Sequence, residues 1–451
     1  MRNIGKYKIR GLLGRGGMSK VYKVELPVIG KIVALKLLDP YPELLELMGL
    51  EKIQQLFISE AMKLANLRHP NIIEIWNFDD LDGRPFYLMD YYFNNLATMI
   101  GETRWTDRPS RIINLDKAIH ITRQILSGLA CLHHAGIIHR DIKPFNILLS
   151  DRDTVKICDF GLSKIRGETV NVPSNLNVGS PWYAAPEQEE NPESADFRAD
   201  LYSTGVTLYR MLTGKLPSEN VAPPSAFNPD LDQAWDSFIF RSIAFNPQER
   251  FNSAGQMLSE LEALDIAWQQ KKESICRITE SNPDASGKPV RLELRNHRTK
   301  ISPREAKQFF AVDDLWRPAE YVRNSYTPNP DDTILDQTTG LVWQQKGSEY
   351  PLTWYQAHEY IENLNQQRFA RRDNWRLATV DELMSLLTET PHGEDFCIEP
   401  IFDQRQSALW SCDKRSFTAA WYISLDMGFV WWQDFSAYYY ARAVSDEQRK
   451  S

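Results

Sequence analysis

The spacing of hydrophobic positions changes along the chain, and each change marks a different kind of element. Over residues 31–38 (KIVALKLL) they alternate, placing Ala34 and Lys36 on one face of a strand and Val33, Leu35 and Leu37 on the other. Over 51–67 the spacing becomes three and four residues, with Ile53, Phe57, Ala61, Leu64 and Leu67 on one helical stripe. That period dominates from about 116 to 264, as in Ala118, Ile121, Ile125, Leu129 and Leu132. Between Trp268 and Lys300 the chain turns polar (QQKKES, SNPDASGKP), so a linker is predicted, drawn over 269–325. Short aromatic-rich strands follow. Eight of the thirteen tryptophans lie beyond residue 310, which marks a second domain, and no internal repeat relates the halves.

A chain of 451 residues is too long for one core. Its net charge of −8 leaves no basic footprint for nucleic acid. No run approaches the ~18 apolar residues of a membrane span. Met1 to Arg10 reads as a charged strand, not as the apolar core of a signal peptide. Five cysteines (Cys131, Cys158, Cys276, Cys397, Cys412) are scattered without a Cys-x-x-Cys spacing. That pattern points to a reducing, cytoplasmic setting and to buried thiols in place of a zinc site.

Three polar constellations carry candidate chemistry. Gly14, Gly16 and Gly17 lie between two strand-like runs, in Gly14-Arg15-Gly16-Gly17-Met18-Ser19-Lys20-Val21. Glycines let backbone N–H groups approach phosphates, although a plain hairpin turn needs them too. Ser19 stands where G-x-G-x-x-G has its third glycine, and no Gly-Lys-Ser/Thr follows, so a P-loop is excluded. Lys36 shares a face with Ala34, and Glu60 falls within the apolar stripe of its helix. A carboxylate there either sits at the helix edge in water or pairs with a cation, for which Lys36 is the candidate. The third set is His139-Arg140-Asp141-Ile142-Lys143-Pro144-Phe145-Asn146, then Asp159-Phe160-Gly161. Ile147–Leu149 and Val155–Ile157 flank a turn, so both polar sets fall at the base of one hairpin. Phosphoryl transfer needs hard oxygen ligands for Mg²⁺, here Asn146 and Asp159, and a carboxylate for the attacking hydroxyl, here Asp141. Lys143 adds a cation.

With VALK (33–36), His69-Pro70-Asn71-Ile72, HRDIKPFN, DFG and GSPWYAAPE (179–187) in order, residues 7 to about 264 resemble the protein-kinase superfamily, in its bacterial eukaryotic-like serine/threonine branch. The resemblance implies a bilobal α+β kinase fold over 1–268. It implies transfer of the ATP γ-phosphoryl, with Mg²⁺, to Ser/Thr hydroxyls of a protein substrate. Lys36 would contact the α/β-phosphates and Asp141 would be the base. Leu13, Val21, Ala34 and Leu148 would enclose adenine, with Met89 as gatekeeper and Asp90 to Tyr92 as the hinge. Asp200 resembles the brace of the catalytic loop, Arg250 the partner of Glu187, and Leu64, Ile75, His139 and Phe160 a regulatory spine. Thr169 and Ser174 are candidate activation-loop phosphosites. The rival reading is a catalytically weak scaffold that acts through its C-terminal module.

That module, with TGLVW (339–343), LTW (352–354), NWRL (374–377) and a terminal aromatic run, resembles the C-terminal domain of Lcl-type collagen-like adhesins over 326–445. The resemblance implies a smaller C-type-lectin-like α+β domain that binds an unidentified ligand or protein. The lectin calcium motif is missing, because Glu399-Pro400 leads into Ile401. Strand alternation predicts that Trp431 and Trp432 point to opposite faces, one towards the surface.

Overall fold

The computed structural model describes residues 3–103, 108–150, 153–159, 181–190, 195–218, 221–276, 292–392 and 396–447. They form two compact units, Met1–Thr279 and Glu280–Ser451.

The first unit opens with an antiparallel sheet of β1 (Asn3–Ile4), β2 (Tyr7–Arg15), β3 (Ser19–Glu25), β4 (Ile32–Leu38), β5 (Ile75–Leu81) and β6 (Arg84–Asp90), in the order β1-β2-β3-β4-β6-β5. The alternation in β4 works as expected. Val33, Leu35 and Leu37 join Ile4, Tyr7, Val24, Phe86 and Leu88 in one core, while Ala34 and Lys36 are buried on the other face. The helices α1 (Pro42–Met48) and α2 (Leu50–Ala65) follow β4, and α2 packs on β5 and β6.

Beyond β6 helices take over. A small sheet of β7 (Asn94–Asn95), β8 (Ile147–Leu149) and β9 (Val155–Ile157) accompanies α3 (Leu96–Ile100), α4 (Leu115–His134), α5 (Pro186–Glu190), α6 (Arg198–Thr213), α7 (Gln233–Ser242) and α8 (Ala254–Cys276). Asn114 caps α4 by accepting the Lys117 N–H, and the predicted stripe from Ala118 to Leu132 is buried throughout. Helix α6 is buried along nearly its whole length, so it forms the axis of this lobe. Helix α8 does not stop at the predicted limit of residue 268. Trp268, Gln269 and Lys272 all donate to Asp116 on α4, at 3.2, 2.6 and 2.8 Å, which fastens its later turns.

In the second unit, helix α9 (Pro303–Phe309) precedes a sheet in the order β10-β11-β12-β19-β13: β10 (Tyr326–Pro328), β11 (Thr333–Asp336), β12 (Leu341–Gln344), β13 (Arg376–Leu377) and β19 (Ala443–Asp446). Helix α10 (Trp354–Gln366) and helix α11 (Val380–Ser385) start at capping boxes, Thr353 with Gln356 and Thr379 with Glu382. A hairpin of β14 (Leu387–His392) and β15 (Phe396–Ile398) leads to an antiparallel triplet, β16 (Ala408–Lys414), β17 (Ala419–Ser424) and β18 (Phe429–Asp434). Every residue of β17 is buried.

Two expectations for this unit are corrected. Residues 292–325, drawn as linker, are folded against it. Arg295 grips Asp413 with two hydrogen bonds of 2.9 and 2.7 Å and also binds Asp381, and Thr299 donates to Asp413. Phe310 and Trp316 are buried beside Trp421. The adjacent Trp431 and Trp432 do not diverge either. Their rings stack at 4.0 Å and 20°, both partly buried, with Trp316 packed edge-on to each.

Candidate active site

Lys36 lies in the middle of β4, flanked by Val21 on β3 and Tyr87 on β6. Its ammonium donates to Glu60 Oε1 on α2 at 2.9 Å and to Asp159 Oδ1 after β9 at 3.0 Å. Tyr87 donates its hydroxyl to the same Glu60 oxygen at 3.1 Å, so the helix carboxylate serves two donors from the sheet. Burial by itself would lower the Lys36 pKa, but Asp159 and Glu60 outweigh it and hold the ammonium well above the usual lysine range. The charge of Lys36 in turn keeps Asp159 below the usual carboxylate range. The Asp159 side chain remains 48% exposed, so a charged carboxylate is left open to solvent beside a buried cation.

The second half of the site hangs from α6. Asp200, fully buried, accepts the backbone N–H of His139 at 2.9 Å and of Arg140 at 2.6 Å, and faces His133 Nε2 at 2.8 Å. These bonds hold Arg140 at φ 63°, a conformation that turns the chain sharply before Asp141. Asp141 Oδ2 then accepts from Lys143 Nζ at 2.8 Å and from Asn146 Nδ2 at 2.9 Å. Asn146 also donates to the Asp141 carbonyl at 2.8 Å, and its own carbonyl accepts the Cys158 N–H at 3.0 Å. The β8–β9 pairing, with Ile147 opposite Ile157, therefore brings the Asp141 loop and Asp159 to one place, as the flanking strand pattern predicted.

The residues expected around a purine fall on neighbouring strands. Ala34 pairs with Met89, Gly14 with Val21, and Leu148 on β8 with Asn95, just past Asp90 to Tyr92. Ala34 and Met89 are buried, Val21 and Leu148 partly so, and Leu13 is 43% exposed. Tyr92 is pushed up to about 12 by burial, with Asp90 and Glu74 adding to it. Nothing lies within 4 Å of a Cβ added to Gly14 or Gly17, so packing within the protein does not call for glycine there. Among the described residues no group of three or more His, Cys, Asp or Glu gathers as a metal site. Asp159 and the Asn146 side-chain carbonyl are the two oxygen donors here that could hold a divalent cation.

Of the predicted spine, Leu64 and His139 are buried and Ile75 is partly so, while Phe160 lies outside the described residues, as do Gly161, Thr169 and Ser174. Arg250 meets Glu187 with two bonds of 2.7 and 2.8 Å. Tyr87 and His133 were not anticipated from the sequence. The signal for Tyr87 was its place two residues before Met89, on the same face of β6. The link from Gln188 Nε2 to the Arg140 carbonyl, at 3.0 Å, left no such mark.

The protein kinase domain family matches residues 7–282, and the Lcl C-terminal domain family matches residues 332–445. The serine/threonine-protein kinase pkn3 of Myxococcus xanthus is 34% identical over 285 residues, covering 58% of this chain and 50% of that protein. The serine/threonine-protein kinase PksC of Streptomyces coelicolor is 34% identical over 292 residues, covering 60% and 51%. The chain thus spans about half the length of these relatives. The kinase domain of Mycobacterium tuberculosis PknI aligns at a TM-score of 0.45 and 25% identity, over 58% of this chain and 97% of that domain. No helix among the described residues is long and apolar enough to cross a membrane. With its matched region spanning more than half of its length and both polar clusters assembled within that region, the chain belongs to the protein kinase family.

Proposed function

We propose that the chain is a serine/threonine protein kinase that moves the γ-phosphoryl of ATP to hydroxyls of a protein substrate. The observation that carries this reading is Lys36 bridging Glu60 and Asp159 at 2.9 and 3.0 Å, which joins the sheet, α2 and the segment after β9 in one charged cluster. Glu60 holds the lysine by its helix while Asp159 presents a carboxylate beside it. Lys36 would bind the α/β-phosphates, and Asp159 and Asn146 would hold Mg²⁺, which when bound neutralises charge on the phosphates. Leu13, Gly14, Gly16, Gly17, Val21, Ala34, Met89, Asp90, Tyr92 and Leu148 would form the nucleotide cleft. Asp141 would orient the acceptor hydroxyl and take its proton, and Lys143, already bonded to Asp141 Oδ2, would steady that carboxylate and offset charge on the transferring group.

For the second unit we propose docking, and no second enzyme. Most of its aromatics are core: Trp343, Trp410 and Trp421 are fully buried. Tyr350, Tyr355, Phe417 and Tyr438 remain exposed and could supply contact area to a ligand or protein partner.

The test is to incubate the pure chain with Mg²⁺-ATP and map phosphosites by mass spectrometry. Lys36→Met and Asp159→Ala should each lower phosphotransfer on the order of 100-fold or more. Asp141→Asn should slow turnover while leaving ATP affinity nearly intact. Full turnover in Asp141→Asn would remove Asp141 from the role of base, and an unmodified chain without phosphotransfer would favour the scaffold reading instead.

A further inference from the structure

A second charged cluster lies outside the catalytic groups. Tyr183, buried at the end of the 3₁₀ turn Pro181–Tyr183, donates its hydroxyl to Glu102 Oε2 at 2.6 Å. Arg210 on α6 donates its Nε to the same oxygen at 3.2 Å. Both charged side chains are withdrawn from water, at 2% exposure for Arg210 and 1% for Glu102. The arginine spends its other N–H groups on the carbonyls of Gly214, at 3.0 Å, and Arg108, at 2.7 Å. Glu102 is placed by the end of α3, where its N–H donates to the Ala97 carbonyl at 2.8 Å. Its other oxygen, Oε1, is buried without a hydrogen-bond partner among the described residues, so both donors converge on a single atom.

Such a pair is a poor way to gain stability. Desolvating two charges is costly, and apolar residues of similar volume often do as well or better. What the pair supplies is a fixed point for the Tyr183 phenol. The same segment is tied at two other places: Ser203 donates to the Tyr183 carbonyl at 2.7 Å, and Gln188 joins the Ala185 N–H to the Arg140 carbonyl. Residues 183–188 are thereby suspended between α6 and the loop that carries Asp141. Trp182, next to the buried phenol, is 55% exposed.

We propose that Glu102 and Arg210 form a positioning pair that acts through the Tyr183 hydroxyl. It sets the height of segment 181–188 against the Asp141 loop, and so sets affinity for the acceptor polypeptide, not for the nucleotide. This rests on the protein-kinase reading. A mere strut, if weakened, would lower stability and affect both substrates alike. A positioning pair, if loosened, splits them.

The experiment measures steady-state phosphotransfer by the full chain to dephosphorylated casein, varying casein and ATP separately. Tyr183→Phe removes one oxygen and keeps the ring; it should raise the KM for casein about tenfold and leave the KM for ATP within about twofold. The double variant Glu102→Leu/Arg210→Met removes both charges and leaves the phenol without its acceptor. It should raise the KM for casein about as much as Tyr183→Phe does and leave the KM for ATP within about twofold. An unchanged casein KM in Tyr183→Phe, or an equal rise in both KM values, overturns the proposal. So does a double variant with the casein KM of the unmodified chain. An unmodified chain that phosphorylates neither casein nor itself would instead remove the kinase reading, and this proposal with it.

Discussion

Arg140 and Asp159 both adopt positive φ, 63° and 66°, in the two stretches where the polar clusters meet. For residues with a Cβ this conformation carries a penalty of about 1–2 kcal/mol each, so something must hold it. At Arg140 the holder is Asp200, whose two oxygens take successive backbone N–H groups, from His139 and Arg140, with His133 completing the set. Asp200→Asn would turn an NH₂ group towards one of those N–H donors and leave a buried donor unpaired. The expected loss is about 2 kcal/mol of stability, read as a lower urea midpoint, together with slower phosphotransfer at unchanged ATP affinity. An unshifted midpoint would mean that other contacts carry the turn. The Lys36–Glu60 pair was legible because a carboxylate within an apolar stripe makes sense only with a partner, the Asp141–Asn146 loop because its residue types suit phosphoryl transfer, and the Asp200 brace only through resemblance to the kinase family. Glu102 was not, since nothing local distinguishes it from a solvated glutamate. Only the distant Tyr183 and Arg210 give it a reason to be inside.

At the scale of elements, periodicity gave away the parts that bury a face by repetition. The stripes of α2 and α4 and the alternation of β4 are of this kind, and α8 was underestimated only because its later turns are held by polar bonds to Asp116. The stretch 292–325 escaped for a physical reason. Its one helix, α9, has seven residues, and the rest is anchored by single side chains that form no periodic pattern. Arg295 reaches Asp381 and Asp413. Trp316 sits at φ 64° in a turn held by Asp313 Oδ1, which takes the N–H groups of Leu315 and Arg317. From that turn its indole meets Trp421, Trp431 and Trp432 at 5.1–5.6 Å. Trp316→Ala should therefore destabilise the second unit by about 3–5 kcal/mol, as for any large aromatic removed from a core. Denaturant unfolding followed by tryptophan fluorescence would show it. A change below about 1 kcal/mol would mean that the tryptophan only rests on the surface of the unit.

For the whole molecule, the useful boundary is set by where packing ends. The kinase family match reaches residue 282, the first compact unit closes at Thr279, and the second already includes Arg295, well before the Lcl match begins at 332. A cut inside 292–325 would strip the second unit of Arg295 or Trp316 and confuse loss of docking with loss of folding. A cut after Thr279 leaves the bonds from Trp268, Gln269 and Lys272 to Asp116 in place, so α8 stays fastened. Residues 1–279 should therefore unfold cooperatively and phosphorylate casein with a turnover within about threefold of the full chain, since no residue assigned to the cleft lies beyond Asp159. If the second unit docks substrates, the two forms must differ on complex substrate mixtures though they agree on casein. Phosphosites mapped after equal casein-normalised activity is added to a dephosphorylated bacterial extract would reveal it. The full chain should favour a subset of proteins that the shorter chain modifies no faster than background, because tethering raises the effective concentration of an acceptor near Asp141. Matching phosphosite sets would sink docking as the role of the second unit. A shorter chain with greatly altered casein turnover would point instead to direct control of the kinase by that unit.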